Sequence, residues 1–344
     1  MPADHLTKGR VIGWSAALGV LLLICITMAG NLGAGDVSLF QLIFRPASLS
    51  EVDRIILLEV RLPRVLLAAV LGGSLTVAGV VFQALLRNPL ADPYVLGVSG
   101  GASIGGVLAL LLGFGVGGGL AGELGVPGFA FLGALGSLVM IERIATIGGR
   151  FTVHTILLTG VIFNAFCAAL IYFIQSIASL EQLHAIVFYL MGKVPDEYGY
   201  RTVAGIAIGA LIVIVALMAM ARNYNALSLG EEGARQVGVE VERTKRWTFI
   251  FGSLLTGMAV SIAGLIGFVG LVVPHLLRLL LGSDHRLLIP AGFLGGASFL
   301  VIADLLARVL VYPNEIPVGV VTALVGGPFF LLLLRRKGAE YGFN

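Results

Sequence analysis

Charge is scarce in this chain. Only 12% of its 344 residues are Asp, Glu, Lys or Arg, against roughly 25% in a soluble domain. That deficit excludes an ordinary water-soluble domain. Ionisable residues are almost missing from the middles of the long apolar runs, which weighs against an ion-gradient-driven secondary transporter, the alternative class, because such proteins carry mid-membrane acids or bases as ion sites. Cysteine is nearly absent too. Cys25 and Cys167 both fall inside apolar runs and read as small buried hydrophobes, not as a disulfide or a metal site. The phosphate-cradling pattern G-x-x-x-x-G-K-[ST] does not occur, so the chain cannot hold ATP in that way. H-E-x-x-H is missing, the five His are scattered among loops and span ends, and no Ser-His-Asp set can be argued. A membrane-embedded enzyme is therefore disfavoured. The net charge of +3 is spread over short loops and is no nucleic-acid signal.

What is present is apolar. Hydrophobic residues make up 58% of the chain, mean hydropathy is +1.01, and 48 glycines suit closely packed membrane helices. A span needs about 20 mainly apolar residues. Candidates are 11–31, 63–86, 94–114, 127–146, 154–176, 200–221, 246–266, 268–282, 288–311 and 317–334, with the pair near 246–282 hardest to divide. The expected fold is an all-α polytopic membrane protein of about ten transmembrane helices. Lys8 and Arg10 precede a run longer than the 7–15 apolar residues of a signal peptide, so an uncleaved first helix is expected. With ten spans, the side holding both termini has twice the Lys and Arg of the other, which makes both termini cytoplasmic.

Two outer segments exceed simple turns. Residues 32–62 contain "SLSEVDRIILLEVRLPR", read as a short surface helix. Residues 177–199 contain "SLEQLHAIVFYLMG", which predicts an interfacial helix at about 178–192. A shift of 185 residues lays Ala78-Gly79 on Ala263-Gly264, Leu86 on Leu271, Pro89 on Pro274 and Leu96-Gly97 on Leu281-Gly282. That points to an inverted repeat relating spans 2–5 to spans 7–10.

One stretch breaks the apolar pattern. "ALSLGEEGARQVGVEVERTKR" (226–246) holds four glutamates, three arginines and a lysine. Ser228 and Glu231 are spaced as a capping box, Glu231 and Arg235 as a favourable i, i+4 pair, and Gly238 stands where a helix would end. Leu229, Ala234 and Val237 give the helix a small apolar side. It reads either as a solvated connector or as a rigid element that docks into a soluble partner.

The segment "LSLGEEGARQVGV" resembles the coupling-helix loop of the FecCD-type permeases, the transmembrane subunits of ABC importers for iron chelates, haem and cobalamin. "RLPRVLLAAVLGGSLTVAGVVFQALLRNPLADPYVLGVSGGASIG", "GLIGFVGLVVPHLLRLLLGSDHRLLIP" and "NEIPVGVVTALVGGPFFLLLL" resemble the same family, so the likeness runs from about 55 to 335. It implies a single permease domain over 1–344 with a cytoplasmic coupling loop at 223–245, in the bacterial cytoplasmic membrane. It implies a homodimer, or pairing with a related permease, two cytoplasmic ATPase subunits that bind ATP and Mg, and a periplasmic or lipid-anchored substrate-binding protein. This chain itself would hold no cofactor and perform no catalysis. The implied cargo is a ferric siderophore, haem or corrinoid, with the ferric chelate favoured.

The resemblance also assigns residues. ATPase coupling falls to Ser228, Leu229, Gly230, Glu231, Ala234, Arg235 and Gly238. Arg61, Arg64 and Arg308 at the outer ends of spans two and nine are expected to form an outward-facing basic set for the binding protein, with interfacial snorkelling as the plainer reading. Asp304 is a candidate local partner for Arg308. Asn88 and Leu90, in the Asn-Pro turn after span two, fall at an inner gate, and Val153 and His154 at the other gate position, where a solvated loop His is the plainer reading. Thr155, Thr159, Ile162 and Phe166 share one face of span five and are candidates to line the pathway. Asn164 reads as interhelical glue. Glu315 sits at the outer mouth.

Overall fold

In the computed structural model, residues 8–33, 39–44, 49–114, 120–147 and 150–337 are described. Each of the ten apolar segments forms a helix. α1 covers Lys8–Asn31, and the short helices α2 (Leu39–Phe44) and α3 (Glu51–Ile55) follow. A π-type stretch at Ile56–Arg61 carries α3 directly into α4 (Leu62–Leu85). The surface helix expected before span two is therefore continuous with that span. Its start is set by a capping box between Ser50 and Asp53. A single 3-10 turn at Pro93–Leu96 leads into α5 (Val98–Leu111). Next come α6 (Leu120–Ala145), a two-strand hairpin of β1 (Thr146–Ile147) and β2 (Arg150–Phe151), and α7 (Val153–Ile177). The hairpin, pairing Thr146 with Phe151 and Ile147 with Arg150, is a small departure from an all-α expectation.

α8 (Leu180–Met191) occupies the predicted interfacial segment, and the Ser179–Gln182 capping box starts it. α9 (Tyr200–Ala219), α10 (Ala221–Leu227) and α11 (Glu231–Gln236) precede α12 (Val241–Ala263) and α13 (Val269–Leu281). α14 (His285–Val309) and α15 (Val318–Lys337) complete the chain. The ambiguous 246–282 stretch divides at Gly264–Phe268. Gly264 has φ 68 and Phe268 has φ 68 as well, an outlying conformation for a bulky residue. Among the described residues, seven helical segments are long and apolar enough to cross a bilayer, while α5, α8, α13 and α15 are shorter.

α4 is the central helix. Of the apolar window in the α3–α4 segment 89% is buried, against 6% for α1. Its small residues explain how neighbours approach so closely. A Cβ at Gly72 would strike the Gly296 carbonyl on α14, and one at Gly79 would strike the Gly270 carbonyl on α13. Without a hydrophobic drive between helices in lipid, such close van der Waals packing holds them together. Among the described residues the core falls into two large clusters and a smaller one around Ile186 of α8. One large cluster, containing Phe82, Phe249, Leu277 and Tyr224, lies toward α11. The other, containing Leu67, Leu71, Leu300 and Val318, lies toward the opposite end.

The constant 185-residue shift does not hold as a register. It lays Leu86 and Pro89, in the turn after α4, onto Leu271 and Pro274 inside α13. The coincidence reflects a composition rich in small and aliphatic residues, 48 of them Gly.

Candidate functional sites

At one end of the bundle, α11 is held by charge. Glu231 is the hub: its carboxylate lies 2.6 Å from Lys245 Nζ, 3.5 Å from Arg87 and 3.9 Å from Arg235. Glu242 adds pairs to Arg235 at 3.3 Å and Lys245 at 3.7 Å. Partial burial raises the Glu231 carboxyl, but the hydrogen bond and charge of Lys245, then Arg87 and Arg235, more than reverse this and hold it below its usual range. The Lys245 side chain is only 6% exposed, so it depends on these acids.

The helix ends are built differently from the expectation at the start and as expected at the finish. Gly230, with φ 92, is the N-cap, and no side chain caps α11. Ser228 instead donates its hydroxyl to the Asn225 carbonyl at the end of α10, and its own φ of −65 and ψ of −20 keep it helical. The Ser228–Glu231 capping box is therefore absent, because Ser228 still belongs to the preceding turn. At the other end Gly238 (φ 84) donates to the Arg235 carbonyl, and Val239 donates to that of Ala234. This pair of bonds is a Schellman stop. Ala234 is fully buried in the core, while Leu229 and Val237 are 69% and 63% exposed. The apolar side predicted from spacing is thus split: one residue anchors and two face outward.

α10 is tied to α14. Asn225 donates to Asp284 at 2.8 Å and accepts from the His285 backbone N–H at 2.9 Å. The Arg286 hydrogen bond, against a smaller burial penalty, pulls the Asp284 carboxyl down to about 2. Both acids thus have depressed values, so their stabilisation is complete above the unfolded carboxylate range, near pH 4, and is lost as pH falls through the folded values. Hydrogen exchange of 225–239 should be flat from pH 8 to 5, after correction for intrinsic rates, and should rise below about pH 4. A rise near pH 6 would contradict this.

At the opposite end Arg61, Arg64 and Arg308 converge as expected, but inward. All three are 4–6% exposed. Arg64 donates to Asp304 at 2.9 and 3.1 Å and to both Glu315 oxygens at 3.0 Å. Arg308 Nε lies 3.1 Å from Asp304 Oδ2, confirming the local pair. Arg308 and Arg61 also donate to the last-turn carbonyls of α1, Ala29 and Gly30, where the helix dipole is negative. The basic set is not an exposed surface: two acids and a helix end neutralise it. Lys193, 43% exposed, and Asp196, 40% exposed, form the accessible rim, at 3.5 Å from Glu315 and 3.8 Å from Arg64.

The remaining candidates lie beside the α11 network and along α7. Asn88 and Leu90 form a tight turn in which the Asn88 side chain accepts the Leu90 N–H at 2.9 Å. Val153 and His154 open α7, with His154 exposed, so it sits in the first turn of the helix and not in a loop. The Phe151 backbone N–H just before them bonds Glu242, so this segment touches the α11 network. Thr155 and Thr159 are half-buried, while Ile162 and Phe166 are 61% and 58% exposed. Asn164 donates to the Tyr94 carbonyl at 2.8 Å, an interhelical bond as expected. Sequence spacing did not reveal Lys245, Arg87 or Tyr94. Their shortest contacts, Lys245 and Arg87 to Glu231 and Tyr94 to Ile266, join residues far apart in sequence, where no periodicity reports them.

Closely packed apolar helices, stapled by charge at both ends, define a polytopic membrane protein. The chain belongs to the FecCD transport family, whose model matches residues 18–336. It is 36% identical to the cobalamin import system permease protein BtuC of Halobacterium salinarum, covering 96% of this chain and 98% of that one. It is 39% identical to the hemin transport system permease protein HmuU of Yersinia pestis, covering 93% and 95%. A solved structure, described as an inward-facing conformation of a metal-chelate type ABC transporter, superposes with a TM-score of 0.81 at 31% identity over 94% of this chain and 99% of that one. The chain is therefore a permease subunit of an ABC importer. It is not itself an enzyme, it carries no cofactor, and an ATPase and a binding protein are its partners.

Proposed function

We propose that this subunit imports a ferric chelate, with corrinoid or haem as the other cargoes of the same class. It works as a homodimer, or paired with a related permease, of ten-span subunits in the bacterial cytoplasmic membrane, with both termini and α11 inside. Two ATPase subunits drive it. The observation that carries the reading is α11, a helix stapled to the bundle through Glu231 that leaves Leu229 and Val237 free to enter a partner's groove. Coupling then runs through Ser228, Leu229, Gly230, Glu231, Ala234, Arg235 and Gly238. The inverted repeat finds support in element lengths. α4 to α7 have 24, 14, 26 and 25 residues, and α12 to α15 have 23, 13, 25 and 20.

Asn88, Leu90, Val153 and His154 flank the inner opening, and Thr155, Thr159, Ile162 and Phe166 face the shared pathway. Exposed apolar side chains on α7, such as Leu158 and Val161, favour burial against a second permease. The mouth formed over Arg61, Arg64 and Arg308 receives the binding protein. The arginines hold its shape, and the rim makes first contact. Lys193→Glu should slow association with the binding protein several-fold at low salt and little at 0.5 M salt, because exposed charges act over about 8–10 Å at 0.1–0.15 M ionic strength. Stopped-flow association rates at two salt concentrations check it, and an unchanged rate removes the rim from the docking surface.

Glu231→Ala tests the coupling reading. It leaves Lys245 with Glu242 alone at 3.7 Å, a loss of about 1–3 kcal/mol. Co-purification of the ATPase and cargo uptake should both fall several-fold, while binding-protein association persists. If both stay normal, α11 is a connector. Uptake of labelled ferric siderophore, haem and cobalamin into vesicles with ATP and no ion gradient identifies the cargo. Uptake that needs a gradient and ignores ATP would return the function to a secondary transporter.

A further inference from the structure

The two interrupted segments of the subunit meet at one side chain. The first interruption is 86–97, between α4 and α5, and holds the Asn88–Leu90 turn. The second is Gly264–Phe268, between α12 and α13. Tyr94, in the first, donates its hydroxyl to the Ile266 carbonyl at 2.9 Å and accepts the Ile266 N–H at 3.1 Å. A non-helical peptide inside a membrane protein must find such partners, and here a single phenol supplies both. Tyr94 is itself held by its backbone. Its carbonyl accepts from Asn164 of α7 at 2.8 Å and from Ser99 at 3.1 Å, and its N–H bonds the Asp92 carboxylate at 2.9 Å.

Tyr94 also lies on the seam between the two large core clusters. Among the described residues, only Tyr94 and Phe299 are partly buried hydrophobics packed against both. The partner segment is strained rather than slack. Phe268 sits at φ 68, and its ring lies so close to Gly326 of α15 that a Cβ there would come within 2.6 Å of it. Close by, Gly264 and Gly319 pack onto the backbone at the end of α8. A strained break braced by one side chain is the form that a two-position element takes.

We propose that Tyr94 is the positioning residue that joins the two halves of the subunit during transport. Its hydroxyl keeps the inner turn and the α12–α13 break in register, so that movement at the α11 end reaches the outer half. The link rests on two side-chain bonds and not on a backbone ladder, so it can be broken and remade as the break changes shape. The proposal rests on the importer reading above.

Tyr94→Phe tests it by keeping the ring and removing the hydroxyl. The assembled permease–ATPase complex with its binding protein is reconstituted in liposomes, and ATP hydrolysis and ferric-chelate uptake are measured together. The expected result is hydrolysis within twofold of wild type and uptake per ATP lowered about tenfold. A lowered melting temperature with an unchanged uptake-to-ATP ratio would make Tyr94 merely structural and overturn the proposal. Asn164→Leu with Ser99→Ala, which together remove both donors to the Tyr94 carbonyl, serves if Tyr94→Phe does not assemble; an unchanged ratio there overturns the proposal equally. Hydrogen exchange of 264–268 in the complex, without nucleotide and with nucleotide trapped, separates this from failure of the importer reading. Exchange should differ between the two states in wild type and be uniformly fast in Tyr94→Phe. If wild type shows that difference but moves none of the chelates, the cargo reading fails and the link stands. If exchange is the same in both states, the link fails whatever the cargo.

Discussion

Asp304→Ala is expected to destabilise the subunit by about 3–5 kcal/mol, the usual cost of removing one partner from a buried ion pair. Asp304 is 1% exposed and serves both Arg64 and Arg308. Without it Arg308 keeps carbonyl acceptors and the more distant charge of Glu315, against the like charge of Arg64. Arg64 keeps Glu315, which is 34% exposed and correspondingly weaker. The melting temperature of the detergent-solubilised protein should drop by several degrees, and little should reach the membrane. The triple variant Asp304→Leu, Arg64→Met, Arg308→Met removes the charges together and should recover much of the loss. A docking-only role for the arginines predicts the reverse: Asp304→Ala would leave stability unchanged and alter only binding-protein association. By the same argument Arg64→Glu fails as a docking probe, because it places a third acid beside Asp304 and Glu315 and acts on folding first.

Gly79→Leu should abolish the fold outright. The first side-chain carbon at position 79 would stand 2.6 Å from the Gly270 carbonyl carbon and closer still to its oxygen. The obstacle is backbone, and backbone cannot swing aside as a side chain can. α4 and α13 would have to separate, giving up packing along both. Even Gly79→Ala forces a shift, with an overpacking cost of about 1–3 kcal/mol or more. Expression and size-exclusion profiles should show aggregate for Leu and a reduced folded fraction for Ala. Gly128→Ala is the control, since a Cβ there meets nothing within 4 Å, and it should be neutral. A well-folded Gly79→Leu protein would refute the close approach.

These two sites show what could be read in the chain beforehand. The ten helices were legible because each is a long apolar run, and the division of 246–282 was the uncertain one for a physical reason. Gly264 and Phe268 interrupt the helix by backbone conformation, and Phe is as apolar as its neighbours. The i, i+4 pair of Glu231 with Arg235 and the glycine stop at 238 were legible because they are local. The Ser228 cap was misread because the same spacing fits a serine that closes the previous turn. Arg61, Arg64 and Arg308 were correctly grouped by the ends of their spans. Their burial was not visible, since it depends on acids 240 and 251 residues from Arg64 and on the last turn of α1, and only the Asp304–Arg308 pair is local.

α14 has a consequence for how change spreads through this molecule. Its first residue is pinned to Asn225 of α10 and its last turns carry Asp304 and Arg308. Twenty-five residues make a helix about 37 Å long, tied at both tips to charged clusters. Pro290 removes a ladder bond in its second turn, so the helix can bend there, and the two charged clusters share one element without moving as a single rigid lever.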